Sequence, residues 1–349
     1  MIECIFTLDY EIFGDGSGSL REHIFNPAEK LKEIFLNFNV QFIPFIEVAE
    51  LEMIERYRTD EAINLVLDQI RNFYKEKFEL GLHIHPQWYN ADYCNGKWQL
   101  DYSEYNLCIL SQERIAEIIG RGIAYFQKIL DAPEYTPLSF RAGNWLLQPT
   151  QRISNVLAQN GIKIDSSVFK GGLQHRHRLD YRRALRNGYS WKFNNDVNIP
   201  VPEGSLIELP IYTKMVPPWK MLTAKRVSIQ KKSISPTNRL IITKMFRLFD
   251  FFRFRLPLKF DFCRMTIEEL IDMMTLLIID DQQSPQMIKP IVLIGHTKDL
   301  INLNDISSFL EFLINNHISI SNFNEIYKKY YHSDSKPANF KVKYQPCPI

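Results

Sequence analysis

Five short apolar runs in this 349-residue chain hand over to side chains that an apolar core rejects: Asp9, His85, Arg141, Asp165 and His296. The runs are Ile2 to Leu8, Phe78 to His85, Thr136 to Arg141, Ile162 to Asp165 and Ile291 to Ile294. Val40 to Val48 and Ser205 to Tyr212 read as two further strands. Longer stretches with helical spacing lie between them. Leu31, Ile34, Phe35 and Phe38 form a stripe after Pro27, a residue that a first helical turn tolerates. Residues 50–78 are helical by periodicity and charge, Ser111 opens a helix to about Leu130, and Pro149 starts one that Gly161 closes. Thr266 with Glu269 forms a capping box. Strands alternating with helices predict an α/β fold with a parallel sheet. In barrels of parallel strands the active site gathers at the strands' C-terminal ends, so the five residues are expected on one face.

Two function classes are disfavoured. A formal net charge of +2 is too small to argue for nucleic acid. No stretch approaches the roughly 18 uninterrupted apolar residues of a transmembrane helix. The N-terminus has acids where a signal peptide needs a basic region and a long apolar stretch. Cys4, Cys94, Cys108, Cys263 and Cys347 are odd in number and lack CxxC spacing, so neither a zinc ribbon nor a disulfide framework is expected. The expectation is a cytoplasmic chain with reduced thiols. Residues 1–330 are expected to form one domain carrying an insertion at about 170–264, with 331–349 as a C-terminal tail.

Period-2 geometry brings chemistry to the strand ends. Asp9 and Glu11 lie two apart, so both carboxylates can point the same way. Two such acids repel unless a cation or a shared proton offsets them. His83 and His85 obey the same spacing. If the two strands open onto one cleft, imidazoles and carboxylates together suit Zn²⁺ or a comparable divalent ion. Arg141 can grip a carboxylate with a bidentate fork or serve a structural ion pair. Asp165, before Ser166 and Ser167, can equally cap a local turn. His296 is a candidate general acid, since histidine titrates near neutrality, or a satisfied core histidine.

Taken in order, these segments resemble the motifs of the polysaccharide deacetylase family (NodB-like, carbohydrate esterase family 4). Thr7-Leu8-Asp9-Tyr10-Glu11 resembles the first motif, usually TFDDG, and Glu79-Leu80-Gly81-Leu82-His83 with His85 the metal-binding histidine motif. Phe140 to Trp145 resembles the arginine motif, Asp165-Ser166-Ser167 the aspartate motif, and Leu293-Ile294-Gly295-His296 the closing histidine motif. The resemblance runs from residue 1 to about 325. It implies an irregular (β/α) barrel of about seven strands that removes an acyl group from an N-acylated amino sugar of a polysaccharide or glycan precursor, a glycan of the cell envelope. It implies a divalent metal cofactor, zinc by the donor types, held by Glu11, His83 and His85. Asp9 would be the base held by Arg141, and His296 the acid oriented by Asp165. Three departures stand out. Tyr10 replaces the family's second aspartate, Gln87 stands where the second histidine usually does, and Arg141-Ala142-Gly143-Asn144 replaces Arg-x-Pro-Tyr. Asp9 is the alternative metal ligand, and a catalytically silent carbohydrate-binding relative or a hydrolase of a non-sugar amide are the alternative functions.

Trp88, Asn144, Trp145 and Tyr181 are expected to bind the sugar. His175 and His177 form a second HxH, but among Arg176 and Arg178 in a loop, where solvated or phosphate-facing roles fit better. Residues 214–264 are basic with interleaved aromatics, and read either as a peripheral contact with an anionic membrane or as outer helices packed on the barrel.

Overall fold

The computed structural model describes residues 1–185, 190–221 and 255–331. Seven parallel strands form its centre: β1 (Ile2–Tyr10), β2 (Ile43–Glu47), β3 (Gly81–Ile84), β4 (Ser139–Ala142), β5 (Ile164–Asp165), β6 (Leu206–Glu208) and β7 (Lys289–His296). Their spatial order is β6-β5-β4-β3-β2-β1-β7, so the first strand lies between the second and the last of the seven. The sheet curls as the half of an irregular (β/α) barrel. All nine residues of β1 and all eight of β7 are buried, as expected of strands covered on both faces.

The gap between β6 and β7 is bridged by single residues. Ile211 pairs with Val292 and Asp261 with Ile294, each in parallel sense. Trp191–Phe193 adds an antiparallel edge to β6, and Ser319–Ile320 pairs with the start of β1. Part of the expected insertion, β6 itself, therefore belongs to the sheet. Residues 222–254, the densest part of the basic segment, and 332–349, nearly all of the tail, lie outside the described residues. Among those described, no helix is long and apolar enough to cross a membrane.

Helices α1 (Asn26–Asn37), α2 (Val48–Tyr57), α3 (Ile63–Lys75) and α4 (Gln112–Leu130) cover the sheet. The α1 stripe buries Leu31 and Phe35, with Phe35 edge-on to Phe6 at 5.1 Å. Burying such a ring stabilises the fold by roughly 1.5–3 kcal/mol. The single helix expected over 50–78 is two helices. Arg58 turns left-handed at φ 53°, and the Asp60 carboxylate takes the amides of Ala62 and Leu20 instead of letting the first helix continue. The expected caps form: Ser111 accepts from the Arg114 amide, and Thr266 and Glu269 cap each other's amides at the start of α5 (Ile267–Gln283). The strand expected at 205–212 has ladder pairing only over β6, because Ile211 leaves it to bridge β7.

Candidate metal centre

Strand register assembles the site. Asp9 sits opposite His296 across β1 and β7, and His83 opposite Arg141 across β3 and β4. Glu11 continues from β1 by two residues, and His85 follows β3. The ligand atoms of Glu11, His83 and His85 all lie within 4.8 Å of one another, as do those of Asp9, Glu11 and His296. Every one of these side chains is buried.

The donor set can be tested against a metal atom by atom. His83 Nδ1 lies 2.8 Å from the Arg141 carbonyl oxygen and must donate to it. That leaves the Nε2 lone pair 3.5 Å from Glu11 Oε2, buried and without a hydrogen-bond partner. A buried unsatisfied acceptor beside a carboxylate is costly unless a cation fills the gap. His85 Nε2 stands 2.9 Å from the same Glu11 oxygen. Its Nδ1 meets the side-chain amides of Gln87 and Asn144, each at 3.2 Å. Gln87 Oε1 is buried with no partner, and turning both amides over presents their oxygens to a proton on Nδ1 and frees Nε2 as a donor atom. These residues fit a divalent ion.

The turn after β4 explains the altered arginine motif. A Cβ on Gly143 would stand 2.6 Å from the Ile84 carbonyl oxygen and 2.9 Å from the His85 ring. Only glycine lets the turn come this close to His85. Asn144 and Trp145 follow in left-handed backbone at φ 55° and 60°, which delivers the Asn144 amide to His85.

Arg141 is fully buried and fixes Asp9. Its Nη1 donates to Asp9 Oδ1 at 2.5 Å, Nη2 to Thr7 Oγ1 at 2.9 Å and Nε to the Ser166 carbonyl at 2.8 Å. Burial alone would raise the Asp9 pKa, but Arg141, His83 and His296 outweigh it and hold the carboxyl below its ordinary value. Glu11 is likewise raised by burial, then carried well below the usual range by Lys298 and His85.

His296 places Nε2 3.4 Å from Asp9 Oδ2. Burial pushes its pKa down to about 4, with Asp9 and Asp299 offsetting only part of that cost. The ring is therefore neutral at pH 7. Asp165 does not orient it, contrary to expectation. Its carboxylate is spent on the Ser167 amide and hydroxyl and on Glu208, its neighbour across β5 and β6. The acid beside His296 Nδ1 is Asp299, at 3.7 Å. Two other expectations are corrected by burial. Trp88 is 1% exposed and edge-on to Trp98, and Tyr181 is 0% exposed, so neither ring offers a face to a sugar. The Tyr181 hydroxyl instead donates to the Trp145 carbonyl and accepts from the Leu147 amide, bracing the turn that carries Trp145. Asn144 and Trp145 stay partly exposed at the site. His177 packs on Tyr105 at 4.5 Å, and neither it nor His175 joins the His83 cluster.

Sequence reasoning missed several residues. Lys298 donates to Glu11 Oε1 and to the Ile12 carbonyl, both at 2.8 Å. Glu47 accepts from the His85 amide at 2.6 Å, and Glu50 from the Ile12 amide at 2.9 Å. Burial and the Glu11 charge push Glu50 up to about 8. The available signal was charge inside an apolar run, as in Phe45-Ile46-Glu47-Val48-Ala49-Glu50.

No protein-family model and no curated protein matches the chain. Solved structures do. A Mycobacterium smegmatis protein assigned as a polysaccharide deacetylase superposes with a TM-score of 0.56 at 14% identity, over 100% of this chain and 94% of that one. A GH57-type branching enzyme from Pyrococcus horikoshii gives 0.54 at 10% identity, over 95% and 71%. The GH57 branching enzyme of Thermococcus kodakaraensis gives 0.51 at 10%, over 95% and 72%. The barrel is shared. At such identities the likeness extends to the fold and no further.

Proposed function

We propose that this protein is a metal-dependent hydrolase of amide bonds that removes the acyl group from an N-acylated amino sugar. One observation carries the proposal: the buried His83 Nε2, its ring partner already spent on Arg141, faces Glu11 and His85 with no hydrogen bond of its own. Such a donor set is suited to a cation. Glu11, His83 and His85 would hold the ion, which would polarise an acyl carbonyl and acidify a water. The sequence resemblance and the shared barrel of the Mycobacterium protein point the same way.

The chain's own residues supply the acid–base chemistry. Asp9, kept ionised and immobile by Arg141, is the base for the attacking water. His296 enters neutral, so the proton it gives to the leaving amine must first reach it. Asp9 Oδ2, 3.4 Å from Nε2, offers that route. Asp299 beside Nδ1 favours the tautomer with its proton on Nδ1 and a lone pair on Nε2. Asn144 and Trp145 line the approach.

Acetate release from N-acetylglucosamine oligomers and from a panel of small N-acetyl amides tests the proposal. Release is expected to stop with chelator, return with Zn²⁺, and be absent in His83→Ala. Turnover indifferent to both chelator and that substitution would remove the metal centre from the mechanism, and turnover of simple amides alone would remove the sugar.

A further inference from the structure

The charges around the centre already balance among themselves. Asp9 is paired with Arg141, and Glu11 with Lys298. The Lys298 ammonium is anchored twice, on Glu11 Oε1 and on the Ile12 carbonyl. A divalent ion entering between Glu11, His83 and His85 would meet one carboxylate already satisfied by a fixed cation.

From this we infer that Lys298 is a tethered competitor of the metal: its ammonium takes one oxygen of Glu11, and ion binding is weakened by that occupancy. The inference rests on the metal centre proposed above. Like charges held together in a water-poor site oppose one another strongly. The lysine does two things at once. It holds Glu11 in place before the ion arrives, and it sets the affinity with which the ion is then held.

Metal affinity is the direct test, measured with purified full-length protein by competing Zn²⁺ and Co²⁺ against a chromophoric chelator. Lys298→Met removes the charge and keeps much of the stem, Lys298→Arg keeps the charge, and His83→Ala reports whether the ion sits at this centre. Lys298→Met is expected to bind the ion about 5- to 150-fold tighter than wild type, the usual span of coupling between two binding events. Lys298→Arg is expected to stay near wild type. In metal-free buffer Lys298→Met should melt lower than wild type, because Glu11 loses its partner, and saturating Zn²⁺ should raise its Tm by more than it raises that of wild type. If Lys298→Met folds too poorly to titrate, Lys298→Gln takes its place with the same expected tightening. Equal or weaker affinity of the neutral variant at a His83-dependent site overturns the inference and leaves the metal centre standing. Binding that survives His83→Ala unchanged places the ion elsewhere and overturns both.

Discussion

Asp9 and Arg141 have to be considered together, because neither charge is tolerable alone in a buried site. The guanidinium reaches Asp9, Thr7 and Ser166 at once, and lies over the Phe45 ring at 4.2 Å. Asp9→Asn keeps the shape but leaves a buried guanidinium without its counter-charge, a change that typically costs about 3–5 kcal/mol when a buried pair is broken. The Thr7 and Ser166 contacts place this case at the lower end of that range. The same substitution removes the proposed base, so turnover is expected to fall about 10²–10⁴-fold. Urea denaturation and the acetate assay separate the two effects; loss of stability with full turnover would show that Asp9 is structural only. At this scale the sequence was informative where a side-chain period decides the geometry. Two residues per repeat placed Asp9 with Glu11 and His83 with His85. It was uninformative where a contact depends on how the chain turns after a strand. Asp299 displaced Asp165 beside His296, and Lys298 reached Glu11, because the residues after β7 fold back over the strand ends.

The turn at Gly143 shows how one element fixes another. β4 delivers Arg141 to Asp9, and two residues later the chain must pass within contact of the Ile84 carbonyl and the His85 ring. Gly143→Ala forces this turn away from His85. It is expected to destabilise the protein by about 1–3 kcal/mol, the usual cost of overpacking. It should also weaken metal binding, since Asn144 would lose His85. Chelator competition checks the second effect, and unchanged affinity in a destabilised variant would show that Asn144 does not position His85. The strands, and the polar side chains at their C-terminal ends, were legible from short apolar runs. The Gly-Asn-Trp turn was not, because a residue that replaces the family's Pro-Tyr announces only a departure. The left-handed backbone at Asn144 and Trp145 follows from packing that no local propensity records. The break between α2 and α3 was missed for a related reason: helical periodicity persists through residues 58–62, while Asp60 captures two amides and ends the helix.

Across the whole molecule, the late helix α6 (Phe323–Tyr330) is tied back to the N-terminal ends of the strands by two carboxylates with opposite pH behaviour. Glu3 meets Lys329, Ser321 and Tyr330. Burial opposes its ionisation, but these partners outweigh it and lower its pKa. Its contribution is therefore present above the unfolded carboxyl pKa and lost as pH falls below it. Glu79 accepts from the Asn324 amide at 2.8 Å through Oε2, while its Oε1 is buried without a partner, and burial raises its pKa to about 7. Between the unfolded value of 4.5 and about 7, the folded chain holds this proton and the unfolded chain does not. Stability therefore falls as pH rises through that interval. Glu79→Gln keeps an oxygen for Asn324 and has no proton to lose. Its Tm relative to wild type is accordingly expected to climb between pH 5 and pH 8. A difference independent of pH over that range would mean that Glu79 is ionised in the folded protein, and that α6 is docked by Phe323 and Ile326 rather than through a protonated carboxyl.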